Sequence, residues 1–211
     1  MTASPFKAII QSEEELRLLN SPPSELVRNK VITRLDSHCR EFISKSPLLF
    51  LSTSDAEGSC DVSPRGDAPG FVYILDDTRL VIPERPGNRR YDSLLNILQN
   101  PSAGLIFIIP GLEETLRING KACITADPEL MEKLSAQGKI PQIGIGVEVE
   151  ECYIHCAKAF KRSKLWDPEQ WPKRENLPNP AAIIADHVRG LKVTEEQVAR
   201  SLAESYEKRL Y

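Results

Sequence analysis

Long apolar runs are missing from this chain. Nothing much longer than Leu105–Pro110 is continuously apolar, far short of the roughly 20 residues that a membrane-spanning helix needs. A basic block is missing too. With 27 Lys and Arg against 30 Asp and Glu, the net charge is −3, which argues against nucleic acid or an anionic membrane surface as partner. The opening segment, MTASPFKAIIQSEEEL, lacks the basic and then apolar regions of a secretory signal. Histidines number three, His38, His155 and His187, and no G-x-S-x-G, H-E-x-x-H, P-loop or G-x-G-x-x-G occurs, so the common nucleophile, zinc-hydrolase, nucleotide and Rossmann signatures are absent. The five cysteines form no even framework and are expected as reduced thiols in a cytoplasm.

What is present is an ordinary globular composition, 41% hydrophobic and 27% charged over 211 residues. That is enough for one domain with a real core. Three parts are expected: a helical segment over 1–45, a β-rich core over 46–162, and a Pro-rich wrap with a terminal helix over 163–211. Ser12 and Glu15 have capping-box spacing and open a short helix that Pro22-Pro23 ends, and a second helix is expected over about Asp36–Ser44. PLLFLSTSDAEGSCDVSPRGD reads as two strands around a turn at Asp55–Gly58. GFVYILDDTRLVIPE reads as two more joined at Asp76-Asp77, and AGLIFIIPGLEETLRINGKACIT as two turning at Pro110-Gly111. In the last, Leu116, Ile118, Ala122 and Ile124 alternate with polar residues. A helix is expected over Pro128–Gln137, stopped by Gly138.

In the next strand Val147 and Val149 are apolar at odd positions, then Cys152, Ile154 and Cys156 at even ones. A phase slip near Glu150-Glu151 is what a β-bulge writes. The end of the chain pairs Thr194 with Gln197 in capping-box spacing and puts Val198, Leu202 and Tyr206 on one face. Six or seven strands with one helix of note between them favour an antiparallel, closed or nearly closed barrel over a doubly wound fold.

IPERPGNRRYDSLLNIL, residues 82–98, carries the first candidate chemistry. Tyr91, Leu94, Leu95 and Leu98 form an apolar helical stripe, and Arg89 and Arg90 fall in the expected first turn. A helix N-terminus already carries partial positive charge, so two arginines there are unfavourable unless an anion shares the site. They are either a phosphate cradle or two solvated arginines beside a turn. Ser63 and Arg65 in SPRGD, with Gly66 beside them, add a hydroxyl, a guanidinium and a backbone open to close approach, or else an ordinary turn. A metal at Cys152, His155 and Cys156 is disfavoured, because residues four apart on a strand lie roughly 13 Å apart; core thiols are expected instead. The tryptophans of RSKLWDPEQWP are read either as packing anchors or as a wall beside a flat ring.

DVSPRGD, LVIPERPGNRRYDSLLNIL, ETLRINGKA and ECYIHCAKAFKRSKLW, in this order, resemble the pyridoxamine 5′-phosphate oxidase-like flavoproteins over about residues 25–170. The resemblance is narrowest to a bacterial branch of probable FMN-dependent proteins with unassigned substrate. It implies an α+β fold, an FMN-binding split β-barrel of six or seven antiparallel strands with peripheral helices. It also implies a homodimer with FMN at the subunit interface and an oxidoreductase acting on a small molecule; a non-catalytic flavin or haem carrier on the same barrel is the alternative, and deazaflavin use stays open. Under it, Arg89 and Arg90 hold the FMN phosphate, and Ser63, Arg65 and Gly66 meet the phosphate or the ring's polar edge. The backbone of Val81, Ile82, Pro83 and Glu84 runs along the flavin, and Asn88 or Asn96 supports the phosphate loop. Lys158, Arg162, Ser163 and Trp166 reach it from the other subunit. The tail NPAAIIADHVRGLKV departs from the Arg-x-His substrate motif of true pyridoxamine-phosphate oxidases, so the vitamin B6 activity is not carried over.

Overall fold

Alternation of apolar and polar residues every second position writes the middle of this chain as a series of strands, and the computed structural model, described for residues 5–211, shows seven of them. They are β1 (Leu48–Ser54), β2 (Cys60–Gly66), β3 (Tyr73–Ile74), β4 (Arg79–Pro83), β5 (Ser102–Ile108), β6 (Thr115–Thr125) and β7 (Gly144–His155). All pairs are antiparallel in the order β2-β1-β5-β6-β7-β4-β3. The helices are α1 (Glu13–Leu19), α2 (Glu25–Asn29), α3 (Ser37–Lys45), α4 (Asp92–Gln99), α5 (Pro128–Lys133), α6 (Lys158–Ser163), α7 (Pro180–His187) and α8 (Glu195–Lys208). Two compact units result, one ending at Val31 and one spanning Ile32–Tyr211.

In the first unit Ser12 caps α1 by accepting from the Glu15 N–H at 3.1 Å, but the Glu15 carboxylate reaches the Gln11 N–H rather than that of Ser12. In the second, Asp36 caps α3 through the Cys39 N–H. Leu49, Leu51, Leu80, Ile82, Leu105, Phe107, Leu116, Ile118, Ile145 and Val147 fill the core, covered by Phe42 and Ile43 of α3 and Leu94 and Ile97 of α4. Sheet alternation places these side chains on one face, and curling the sheet around them removes that face from water. The fold is a split β-barrel: β2 and β3 remain edges, and side chains bridge the gap between β2 and the end of β4.

The expected bulge is present. Asn119 faces Glu151 while Gly120 faces Val149, leaving Glu150 as the extra residue. The slip lets Val149 and Cys152 both point inward. Cys152 lies 3.2 Å, sulfur to sulfur, from Cys39, and this neighbouring thiol together with burial pushes it up from the ordinary thiol range. Cys156 is exposed, as is Ile154, so the core thiol expected at 156 is not one: β7 ends at His155 and the chain turns away.

Three helices differ from their sequence patterns. Helix α5 stops at Lys133 rather than Gln137, because Gln137 and Gly138 take left-handed conformations (φ 50° and 71°) in a tight turn closed by Ala136 and Lys139. Helix α4 begins at Asp92, so Arg89 and Arg90 precede it, and its buried side is Leu94 and Ile97, with Tyr91, Leu95 and Leu98 exposed. Of the expected stripe only Leu94 faces the core; Tyr91, Leu95 and Leu98 face outward. Helix α8 has both halves of its capping box, yet only Val198 is buried and Tyr206 is 67% exposed.

The bulge makes Gly120 a sensitive position, since a Cβ there would stand 2.0 Å from the Glu148 carbonyl oxygen. Gly120→Ala is expected to cost at least about 3 kcal/mol by forcing β6 and β7 apart. At Gly104 the nearest contact is the Asn119 side chain at 3.4 Å, and Gly104→Ala should be near neutral. Urea unfolding of the two variants checks this.

Candidate functional site

Period-two alternation puts Asp61, Ser63 and Arg65 on the inward face of β2, with Asp67 continuing the series just beyond it. Asp61 accepts from the Ser63 hydroxyl at 3.0 Å and from Ser93 of α4 at 2.6 Å. The proton that Ser63 could offer a ligand is therefore committed within the strand. Arg65 reaches across to Glu84, with Nε 3.3 Å from Oε2 and both side chains less than one-fifth exposed. The two atoms are buried and in contact, but neither has an aligned hydrogen bond. Burial pushes the Glu84 carboxyl above the ordinary range, and the guanidinium offsets only part of that. One step further, Arg85 Nε binds Asp67 at 2.7 Å. Burial works against the Asp67 charge, but the Tyr211 hydroxyl, the Ala68 N–H and Arg85 hold its carboxyl below the usual range.

Glu84 and Arg85 open the loop that leads to the arginines. Asn88 accepts from the Arg90 N–H at 3.0 Å, an Asx turn that shapes the loop. Arg89 (φ 60°) and Tyr91 (φ 59°) are both left-handed, which costs non-glycine residues of order 1 kcal/mol each. Arg90 pairs with Asp92, so the structure supplies its own offset to one of the two cations. Arg89 is exposed and makes no ion pair among the described residues. No side chain caps α4.

The remaining sequence candidates fall in three places. Leu80, Val81 and Ile82 are buried, and β3 pairs only with Leu80 and Val81, so Ile82, Pro83 and Glu84 have no strand on that side. At Gly66 a Cβ would meet the Pro47 carbonyl at 3.2 Å, so the missing side chain lets the end of β2 lie close to the segment entering β1. Asn96 donates to Thr53 at 3.1 Å and ties α4 to β1 rather than joining the loop. Lys158, Arg162, Ser163 and Trp166 lie on or just after α6. There Trp166 stacks on Phe160 and donates to the Leu112 carbonyl at 2.9 Å, Ser163 bonds the Phe160 carbonyl, and Lys161 pairs with Glu113. Trp171 donates to the Leu165 carbonyl at 2.8 Å and is 56% exposed. No contact of these residues with Arg65 or Glu84 occurs among the described residues, so a single chain does not bring the two groups together.

A family model described as pyridoxamine 5′-phosphate oxidase matches residues 35–156, more than half of the chain and the whole sheet. The chain belongs to the pyridoxamine 5′-phosphate oxidase family. No curated protein sequence matches it. Solved structures similar to it include HupZ of Group A Streptococcus (20% identity, TM-score 0.47, 56% of this chain and 92% of that one). An FMN-binding protein of Syntrophomonas wolfei is similar too (10%, 0.42, 56% and 88%). So is HutZ, the haem storage protein of Vibrio cholerae (18%, 0.40, 58% and 94%). Within the pyridoxamine 5′-phosphate oxidase family the chemistry of this site rests on this chain's own residues.

Sequence reading named Glu84 for its backbone only. Its side chain, Asp61, Asp67 and Arg85 were missed, although i, i+2 spacing along DVSPRGD already places Asp61 and Asp67 on the face of Arg65.

Removing Arg65 should leave a buried, unpaired carboxylate. Arg65→Met is expected to destabilise by about 3 kcal/mol at pH 7.5, the lower end for breaking a buried pair. Without the guanidinium the folded-state value of Glu84 rises further, so the penalty applies above that value and shrinks as pH falls through it and the carboxyl protonates. Melting curves of both proteins at pH 7.5 and pH 5 should therefore show a larger gap at the higher pH.

Proposed function

We propose that the protein binds FMN between the inward face of β2 and the run Ile82–Arg90, and works as an FMN-dependent oxidoreductase on a small molecule. The observation that carries this is the buried, unaligned Arg65 Nε and Glu84 Oε2 pair. A donor and an acceptor side by side, dry and unsatisfied, fit a ligand edge that shows an acceptor beside a donor. The carbonyl and N–H edge of a flavin's pyrimidine ring is such an edge. The FMN phosphate would take Arg89, whose cation has no ion-pair partner among the described residues, together with Arg90 and the loop that Asn88 shapes. When bound, FMN supplies electron-pair acceptance and donation at its ring. This chain's part is to hold Arg65's charge against the carbonyl edge, keep the ring off water and fix the phosphate.

A second copy of the chain is supported by apolar surface. Phe50 of β1 lies directly opposite Ile106 of β5, Val62 of β2 sits two residues along on the same outer face, and they are 37%, 39% and 62% exposed. Leu95 and Leu98 of α4 are 52% and 72% exposed. Exposed apolar side chains of this kind support contact with a second copy. In a homodimer, Lys158, Arg162, Ser163 and Trp166 would meet the flavin held by the other copy.

The purified protein should show flavin absorption bands and release FMN on heating. Arg89→Ala should weaken FMN about thirtyfold, the worth of one charge-assisted contact of about 2 kcal/mol, and leave riboflavin affinity unchanged, as fluorescence titration would measure. A colourless protein that takes up no added FMN would overturn the reading. Saturable oxidation of a reduced nicotinamide separates the enzyme from a carrier, which would bind FMN without turnover.

A further inference from the structure

Tyr211 makes side-chain contacts with the barrel that its neighbour Leu210 does not. Helix α8 ends at Lys208, and Leu210 is 61% exposed. Tyr211 then turns back to the barrel and is fixed from three directions. Its hydroxyl donates to Asp67 Oδ1 at 2.6 Å, the Arg85 guanidinium carbon lies 5.9 Å from its ring centroid, and Lys139 Nζ reaches its main-chain oxygen at 3.4 Å. Since Leu210 stays in solvent, apolar burial of the tail is not what seats it; the phenol and its ring are.

Both side-chain partners belong to the gap between β2 and β4. The Asp67 side chain is only 3% exposed and also accepts from the Ala68 N–H at 2.7 Å and from Arg85 at 2.7 Å. Arg85 is thereby gripped on two sides, by a carboxylate in its plane and by an aromatic face, an arrangement that suits a planar guanidinium. Arg85 is also the root of the loop Pro86-Gly87-Asn88-Arg89-Arg90. The loop's far end is fixed where Ser93 donates to Asp61. Two left-handed residues, Arg89 and Tyr91, are kept in that conformation only while both ends stay put.

We infer that Tyr211 is a positioning residue for the anion-binding loop: through Asp67 and Arg85 it sets the root of residues 86–90 and so the place of the Arg89 cation. This rests on the reading of that loop as the FMN phosphate site. It deepens it by making Tyr211, 144 residues from Asp67, part of the cofactor's phosphate recognition.

The test uses the full chain with three changes: Tyr211→Phe, deletion of Tyr211, and Leu210→Ala as a control on exposed apolar bulk. FMN and riboflavin are titrated by fluorescence, and trypsin cleavage after Arg89 and Arg90 is followed by mass spectrometry without flavin and with inorganic pyrophosphate. The expected result for the deletion is about tenfold weaker FMN binding, equivalent to losing one ordinary hydrogen bond and a ring contact, with riboflavin unchanged. Cutting after Arg89 and Arg90 should be several-fold faster, and pyrophosphate should protect the wild type more than the variant. Tyr211→Phe should fall between, because its ring still covers Arg85, and Leu210→Ala should behave as wild type. Unchanged cutting, or faster cutting with FMN affinity intact, overturns the proposal, as does an equal loss for riboflavin, which would mark a general structural role. If the wild type binds neither flavin, the FMN reading falls alone. Cleavage with and without pyrophosphate then still decides the role of Tyr211, and equal protection overturns it.

Discussion

Two crossed ion pairs, Arg65 with Glu84 and Asp67 with Arg85, hold together the part of this protein where chemistry is possible. The sheet order leaves β2 at one edge, with four strands between it and β4, so backbone hydrogen bonds do not join them. Side chains do. Charges alternate in sign along both partners, so opposing Arg65 to Arg85, or Asp67 to Glu84, would set like charges together. The pairs therefore specify how the split closes as well as closing it, a use for which buried charges are better suited than for stability, given their desolvation cost. The two pairs also differ. Asp67 accepts from Tyr211, Ala68 and Arg85, whereas Arg65 and Glu84 touch without an aligned hydrogen bond.

Most strands were legible because each is short, alternates cleanly and is bounded by turn residues: Asp55–Gly58, Asp76-Asp77 and Pro110-Gly111 all fall between strands of the sheet. The bulge was legible for the same reason, since one extra residue moves the inward set from Val149 to Cys152. Helical stripes were less secure. The spacing of Tyr91, Leu94, Leu95 and Leu98 defines a stripe but not its centre, and the core contact falls on Leu94 and Ile97, one edge of the stripe and a residue outside it. An apolar stripe meant for another surface carries the same signature as one meant for the core. At α5, two left-handed residues end the helix early, and nothing in Gln137 announces such a conformation.

The candidate site divides in the same way. Ser63, Arg65, Arg89 and Arg90 stand out because arginines beside turns are locally costly or idle without an anion. Asp61 and Asp67 were readable from strand alternation alone, once DVSPRGD was taken as a strand. Glu84 was seen only as backbone, because its side chain matters through a partner 19 positions earlier. Tyr211 had no local signal at all: a terminal tyrosine looks like any frayed end until the fold brings Asp67 and Arg85 to it.

The loop from Arg85 to Tyr91 shows how these levels combine. Its own residues do not favour its shape, since Arg89 and Tyr91 each occupy a left-handed conformation that glycine would adopt freely. A loop of this kind left to itself would relax and lower its strain. It is held at the root by Asp67 and Tyr211 on Arg85, in the middle by Asn88 on Arg90, and at its exit by Ser93 on Asp61. The conformational cost is thus met by the barrel before any anion arrives. At the proposed phosphate site, the anion would meet Arg89 without first ordering the chain, which is the physical content of preorganisation. By this argument the strength of the site depends less on how many cations it contains than on how rigidly β2 and β4 hold the loop's two ends.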